Sequence, residues 1–371
     1  MAQLKSLLNL TFLAVVLRSG KAVTIPCTTT STTVEALIDC LYDYTVPSNY
    51  YSCAAFATAQ PQVSPDEVTG WTAAVTQLLN AGGTCSLPTG STISGSYQVT
   101  DFFDTTSGRN YCVLSEIDAV TVGSKNYFTR GWGTFVTPRD VTLATMTLHH
   151  SAPHPIADTD TPHQAAAIFI GTDSRSLLVA GRHRAALSST SVSPPNPPPC
   201  VIDSCVNTAY TQTDPVHDAD EPFHLAMVSI RTWQNAQTGG CPGATCAYLQ
   251  WHGKGSSTCS SDNVFLSSGL GSGGTCYNPT TLPINRIKAE LNSVFPTGTH
   301  ATPADDPACT LTATRNLFGR LVNGVAAGNV CTTAGSCVGT DFGQFVHLEQ
   351  ESAYRSSTNY NNWITAITNA F

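Results

Sequence analysis

The chain has 371 residues, of which 41% are hydrophobic and only 11% are charged, so it can bury a substantial core in one large domain or two ordinary ones. Its formal net charge is −8, and it contains no basic stripe that would neutralise the phosphates of a nucleic acid. We therefore expect a globular protein that has no nucleic-acid partner.

Residues 1–22 have the features of a secretory signal peptide. Lys5 supplies the positive charge, residues 7–17 form an apolar run, and Gly20 and Ala22 fit a cleavage site. The alternative is an N-terminal membrane anchor, but the apolar run is short for a bilayer span. We expect a secreted, extracellular protein whose mature form has no membrane partner.

Residues 27–94 are predicted to form a small helical, cysteine-containing subregion. Apolar residues recur at helical spacing over 33–42, and Ser64 followed by Pro65 marks the start of a second helix. No dibasic processing site is evident near residues 85–130. The subregion is therefore expected to be an integral part of the protein rather than a propeptide.

Residues 95–371 alternate between strand-like and helical patterns. Predicted strands cover 111–116, 134–137, 141–148, 176–180, 224–230, 247–251 and 345–348, and predicted helices cover 164–169, 282–295 and 310–322. This alternation predicts an α/β domain with a mixed, largely parallel, twisted sheet flanked by helices.

The 14 cysteines all follow the predicted signal peptide, and their even number in an exported chain implies up to seven disulfides. The sequence leaves the connectivity open. Short loops nevertheless favour the local pairs Cys200–Cys205, Cys241–Cys246 and Cys331–Cys337. Since the spacings match no zinc-finger pattern, the cysteines are predicted to be structural rather than metal ligands.

Segments far apart in the chain offer ligands for one metal site. His154 and His252 each follow a predicted strand, and open α/β sheets bind ligands where strands give way to loops. Asp158 lies four residues after His154, a feasible spacing for two ligands of one ion, and Asp160 is the competing carboxylate. Two nitrogens, one oxygen and an open position are what a catalytic Zn²⁺ needs.

A separate glutamate near the C-terminus is a candidate for moving protons. Glu349 is the first choice, and Glu351 is its rival because side chains two residues apart on a strand share a face. No Gly-X-Ser-X-Gly sequence occurs, and the glycine-rich segment 269–274 follows no clear strand-to-helix pattern. A nucleophilic serine is therefore disfavoured.

Other histidines lie near these segments. His217 and His224 flank an acidic run, which could be a second metal site or a substrate-orienting loop, although a solvated acidic loop is favoured. Either His149 or His150 is a candidate for contacting Asp158 or His154 and holding that ligand in its orientation, without binding the metal itself. His163 is a candidate for capping the helix that follows it.

Five short motifs follow one another between residues 148 and 356. They are Ala152-Pro153-His154-Pro155 with Asp158 and Thr161, the His- and acid-rich segment 215–222, Trp251-His252-Gly253, Gly269-Leu270, and His347-Leu348-Glu349 with Arg355. Their order resembles the poly-γ-glutamate hydrolase branch of the zinc carboxypeptidase superfamily. The sequence departs from the family pattern where Pro155 replaces a Gly, Asp158 a ligand Glu, and His347 a Gln.

The resemblance implies a phosphorylase/hydrolase-like fold and zinc-dependent cleavage of a peptide, γ-glutamyl or related amide bond in a small or polymeric substrate. His154, Asp158 and His252 would hold the Zn²⁺, while Glu349 would take a proton from water and give it to the leaving amine. An arginine would stabilise the oxyanion or bind a substrate carboxylate. The candidates for that role are Arg182, Arg184, Arg315 and Arg320.

Two other functions remain open from the sequence. The first is a non-catalytic secreted binding protein on the same fold, which the replacements at residues 155 and 158 favour modestly. The second is a metal-dependent esterase or phosphodiesterase.

Overall fold

The computed structural model describes residues 22–61, 66–187, 210–271, 275–338 and 342–371. Several sequence-based predictions concern residues outside these ranges: the signal peptide up to residue 21, the Cys200–Cys205 pair, and the Ser64-Pro65 helix start.

The strands and helices have the following bounds. The strands are β1 (Ala22–Thr24), β2 (Tyr97–Asp104), β3 (Arg109–Glu116), β4 (Asp118–Val122), β5 (Lys125–Phe128), β6 (Thr134–Pro138), β7 (Met146–Ala152), β8 (Ser174–Val179), β9 (Cys246–Gly253), β10 (Val264–Ser267), β11 (His300–Ala301) and β12 (Phe345–Gln350). The helices are α1 (Cys27–Thr30), α2 (Val34–Tyr42), α3 (Cys53–Ala59), α4 (Glu67–Leu79), α5 (Thr161–Gly171), α6 (Pro222–Ala236), α7 (Pro283–Val294), α8 (Leu317–Val322) and α9 (Tyr360–Ala370).

Nine strands form one mixed sheet in the order β11-β10-β12-β9-β7-β8-β6-β3-β2. The pairs β12–β9, β9–β7, β7–β8 and β10–β11 are parallel, and the other four pairs are antiparallel. Strands β1, β4 and β5 form a separate small antiparallel sheet. The predicted mixed α/β sheet is confirmed, with its parallel strands concentrated at the centre.

Helices cover both faces of the large sheet. Neighbouring residues of a central strand point to opposite faces, so Leu249 joins the core that contains α2, α5, α7 and α9, while Tyr248 joins the core that contains α4, α6 and α8. The same alternation separates Val346 from Phe345 on β12. The helices predicted for the N-terminal subregion are therefore present, and α2 and α4 pack on opposite faces of the sheet.

Three elements differ from the predictions. The apolar run 224–230 lies inside α6 and is not a strand; a short apolar run fits either structure, and Pro222 begins a helix here. The predicted strand 141–148 begins only at Met146, and the predicted helix 310–322 begins only at Leu317. In addition, the side chain that caps α4 is that of Asp66, which accepts a hydrogen bond from the Thr69 amide.

Disulfides connect Cys27–Cys40, Cys85–Cys112, Cys241–Cys246, Cys259–Cys309 and Cys276–Cys337. The predicted Cys241–Cys246 pair is confirmed. The predicted Cys331–Cys337 pair is wrong, because the fold brings Cys337 to Cys276, which is distant in sequence. Among the helices in the described ranges, none combines the length and the apolar character needed to cross a membrane.

Candidate metal centre

Neighbouring strands bring the predicted site residues to one edge of the sheet. Strands β7, β9 and β12 run parallel to one another, so their carboxyl ends lie together. His154 follows the end of β7 by two residues, and His252 and Glu349 are direct neighbours in the register of β9 and β12. Residues almost 200 positions apart in the chain therefore meet at one place.

The loop after β7 folds back to place Asp158 between the two histidines. Its amide donates to the His154 carbonyl at 2.9 Å, and the Thr161 hydroxyl donates to its carbonyl at 2.8 Å. Asp158 Oδ2 then lies 3.2 Å from His154 Nδ1 and 3.0 Å from His252 Nδ1. All three side chains are buried and could hold one metal ion.

The outer nitrogens of both imidazoles are tethered to acceptors. His154 Nε2 lies 3.2 Å from Asp214 Oδ1, and His252 Nε2 lies 2.9 Å from Gln250 Oε1. Since the oxygens of Asp214 and Gln250 accept from the Nε2–H groups, both Nδ1 atoms face the centre of the group, where a cation would bind. Tethering of the far nitrogen is the usual arrangement around a metal-binding histidine, so the residues present fit a divalent cation.

The pKa values in this group follow from burial and two carboxylates. Burial alone would lower the pKa of His154, but Asp158 and Asp214 outweigh it and raise the pKa to about 9. Burial lowers the pKa of His252. Burial would raise the pKa of Asp158, but His154 and His252 hold it well below its usual range. The group therefore contains an ionised carboxylate, and His154 carries a proton that a cation would displace.

His154, Asp158 and His252, here called the triad, line a cavity of about 680 Å³. Glu349 lines the same cavity. Burial, followed by the Asp158 charge, raises the pKa of Glu349 to about 8, which suits a proton acceptor near neutral pH. Glu351 lies outside the cavity, where its carboxylate accepts from Lys254 Nζ at 3.3 Å and Asn263 Nδ2 at 2.9 Å. The geometry thus favours Glu349 over Glu351.

The competing carboxylate Asp160 does not join the triad. It precedes α5 in the left-handed region with φ 70° and lines a different groove, together with Glu35 and Asp39. Arg355 connects the loop that carries Asp158 to β9. It donates to the Thr159 carbonyl and lies against Gly253. A Cβ at residue 253 would meet the Arg355 guanidinium group, so a larger residue there would have to displace this side chain.

The four candidate arginines divide into two pairs. Arg184 and Arg315 line the cavity, and neither has an ion-pair partner in the described part of the chain. Arg182 is instead buried against Glu221, at 3.1 Å from Nε and 2.5 Å from Nη2, and Nη2 also donates to Gln60. Arg320 donates to backbone carbonyls. The expectation that Arg182 contacts substrate is therefore corrected, because its guanidinium group is engaged in a buried ion pair with Glu221.

His217 lines the cavity, whereas His224 is buried on α6 and does not line it. His217 Nδ1 lies 3.1 Å from Asp214 Oδ2, and its ring stacks on Tyr210 with centroids 3.5 Å apart. His217 thus extends the His154–Asp214 contact to a second cavity-lining histidine.

The remaining histidines do not support the site as expected. His149 contacts Ser176 and Gln234, and His150 contacts Ser174 and Trp251, so neither orients Asp158 or His154. Both rings are enclosed in the core, where burial lowers the pKa of each to about 3. His163 lies inside α5 and pairs with Asp39 at 2.7 Å, so it is not the cap of that helix.

Two residues that complete the site were missed from the sequence. Asp214 directly precedes the His- and acid-rich segment, but nothing local connects it with His154, which is 60 residues away. Gln250 was detectable, because it lies two residues before His252 and side chains at that spacing share a strand face.

A second group of possible metal ligands shares His252 with the first. It consists of His252, His347 and Glu349, whose ligand atoms all lie within 4.8 Å of one another. His347 Nε2 is 3.5 Å from Glu349 Oε1, and the His252 and His347 ring centroids are 4.4 Å apart. Burial lowers the pKa of His347 well below its usual value, so the ring is neutral at physiological pH.

No model of a known protein family matches this chain, and a search of curated proteins found no match. The resemblance to the zinc carboxypeptidase superfamily accordingly stays a prediction, carried by the order of the motifs.

Proposed function

We propose that this protein is a secreted, zinc-dependent hydrolase that cleaves an amide bond. The observation that carries the proposal is the meeting of His154, Asp158 and His252, with Glu349 beside them, in one cavity. The five described disulfides agree with an oxidising, extracellular compartment.

Zinc is the cation that this donor set favours. Two imidazole nitrogens and one carboxylate oxygen are a common protein ligand set of catalytic zinc, and hard cations such as Mg²⁺ and Ca²⁺ prefer oxygen ligands alone. When bound, the cation would polarise the substrate carbonyl and acidify a water molecule.

The protein's own groups supply the remaining chemistry. With its raised pKa, Glu349 accepts a proton from water and later donates it to the leaving amine. Asp214 and Gln250 hold the two imidazoles in the orientation that directs Nδ1 inward.

Arg184 and Arg315 support a substrate that bears carboxylate groups. Both line the cavity and both lack an ion-pair partner in the described ranges, so their guanidinium groups are available to a ligand. A peptide with a free carboxylate or a γ-linked glutamate chain has the matching charge. The net charge of −8 gives such a substrate no long-range attraction, so its recognition is local.

The test combines metal analysis with hydrolysis assays on the secreted full-length protein. We expect one Zn²⁺ per chain, together with turnover of an α-peptide or γ-glutamyl substrate that a chelator abolishes and Zn²⁺ restores. Ester and phosphodiester substrates are assayed in parallel. Bound metal without turnover of any of these substrates would indicate a non-catalytic binding protein, and absence of metal binding would overturn the proposal.

The E349Q variant tests the role of the glutamate. We expect turnover to fall by about 10²- to 10⁴-fold, the usual contribution of general acid–base catalysis, with metal content unchanged. E351Q is the matched control, because Glu351 lies only two residues further along the chain but outside the cavity, and it should retain near-normal turnover. Wild-type turnover in E349Q would exclude Glu349 as the base.

A further inference from the structure

His252 belongs to two groups of metal ligands that face one cavity. With His154 and Asp158 it forms the first group, and with His347 and Glu349 it forms the second. All five residues are buried: Glu349 is 9% exposed, and the other four are at most 7% exposed.

The structure leaves His252 only one nitrogen for a cation. Its Nε2 lies 2.9 Å from Gln250 Oε1, which also accepts from Asn316 Nδ2 at 2.6 Å. Asn316 is fixed in turn, because its Oδ1 accepts from the Gly319 amide at the start of α8. This chain of hydrogen bonds holds Nε2 as a donor. Nδ1 is therefore the nitrogen with which His252 would bind a cation in either group.

The distances between carboxylate and imidazole in both groups are close to those around a single ion, and all ligand atoms of each group lie within 4.8 Å of one another. Ligands about 2.0–2.2 Å from a tetrahedral zinc lie about 3.3–3.6 Å from each other. The first group has separations of 3.2 and 3.0 Å, and the second has 3.5 Å between His347 Nε2 and Glu349 Oε1. Small side-chain adjustments would therefore suit an ion in either group.

We propose that the cavity offers one divalent cation two alternative, overlapping positions that share His252 Nδ1. At the first position, with His154 and Asp158, the cation leaves Glu349 free to act as the base. At the second position, with His347 and Glu349, the cation occupies the base itself, so this position is inactive. The inference rests on the proposed metal-dependent function of this cavity.

Zinc stoichiometry in single and double variants tests the proposal. Equilibrium dialysis against buffered Zn²⁺ should find one ion per chain in the wild-type protein, in H347A and, with weaker affinity, in H154A, where the second group still holds the ion. H154A should be inactive despite its bound ion. At the Zn²⁺ concentration that saturates H154A, the double variant H154A/H347A should bind none.

Each other outcome has a defined meaning. Loss of the ion in H154A alone, or equal affinity in H154A and H154A/H347A, would overturn the second position. Absence of zinc in the wild-type protein would overturn the proposed function instead, so the two failures are distinguishable. If H154A does not fold, D158N removes a ligand of the first group with little change in shape, and D158N/H347A replaces the double variant.

H163A is the control for the loss of a histidine elsewhere. His163 pairs with Asp39 on α2 and does not line the cavity. H163A should bind one ion with wild-type affinity, and combining it with H154A should leave the affinity of H154A unchanged. A further loss in H154A/H163A would mean that the stoichiometry reports general destabilisation and would overturn the specific role assigned to His347.

Discussion

At the scale of single residues, His154 links metal binding to protonation. Burial opposes a charge on its ring, but the carboxylates of Asp158 and Asp214 on either side of it raise its pKa to about 9. The Nδ1 lone pair is available to a metal only when the proton leaves. At neutral pH a cation must therefore compete with a proton for this ligand.

We predict that zinc binding releases a proton from His154 and that zinc affinity rises with pH up to about 9. The measurement is titration calorimetry of chelator-treated protein in two buffers of different ionisation enthalpy at neutral pH. D214N removes one of the two carboxylates that raise the pKa, so it should release fewer protons and show a shallower pH dependence. Equal proton release in the two proteins would contradict this role of Asp214.

The sequence revealed the histidines and carboxylates of the site but not their supporting contacts. His154, Asp158, His252 and Glu349 were found because short motifs occur in a fixed order. Asp214 and Asn316 were not, because each reaches its partner only through folding, across 60 and 66 residues. Arg182 was misassigned for the same reason: the sequence does not show that Glu221 will occupy its guanidinium group.

At the scale of elements, a buried ion pair joins the residues that follow β8 to those that precede α6. Arg182 follows β8, and Glu221 precedes α6; both side chains are 2% exposed. The described part of this segment carries Asp214 and His217, which contact each other at 3.1 Å. The ion pair therefore anchors the end of the segment that supports His154.

We predict that R182A lowers the free energy of unfolding by about 3–5 kcal/mol, because it leaves the Glu221 carboxylate buried without its charged partner. The measurement is urea unfolding. R139A is the matched control: the Arg139–Asp101 pair has a similar distance, 2.8 Å, but its side chains are 43% and 40% exposed. Its loss should cost about 0–1 kcal/mol. Equal costs would show that burial does not determine the effect.

Element types were predictable where the pattern was long or strictly alternating. The helix predicted over 282–295 corresponds closely to α7, and the strands ending near His154 and His252 were found. The segment 224–230 was misread because its apolar residues are nearly continuous, which fits a strand as well as the helix that packs on α4. The two-residue β11 is too short to leave a pattern in the sequence.

At the scale of the whole molecule, two of the disulfides connect segments that are distant in sequence. Cys276–Cys337 spans 61 residues and Cys259–Cys309 spans 50, and the cavity-lining stretch 310–316 directly follows Cys309. Cys241–Cys246 spans only 5 residues just before and at the start of β9. The bonds therefore differ greatly in how much they restrict the unfolded chain.

We predict that stability losses on replacing each pair with serine follow loop length. Loop-closure entropy gives about 4 kcal/mol for Cys276–Cys337 and about 2 kcal/mol for Cys241–Cys246, so the long-range variant should unfold at the lower urea concentration. The two variants are matched controls for each other, since each replaces two cysteines. Equal losses would mean that local packing around the sulfurs, rather than restriction of the unfolded chain, determines what these bonds contribute.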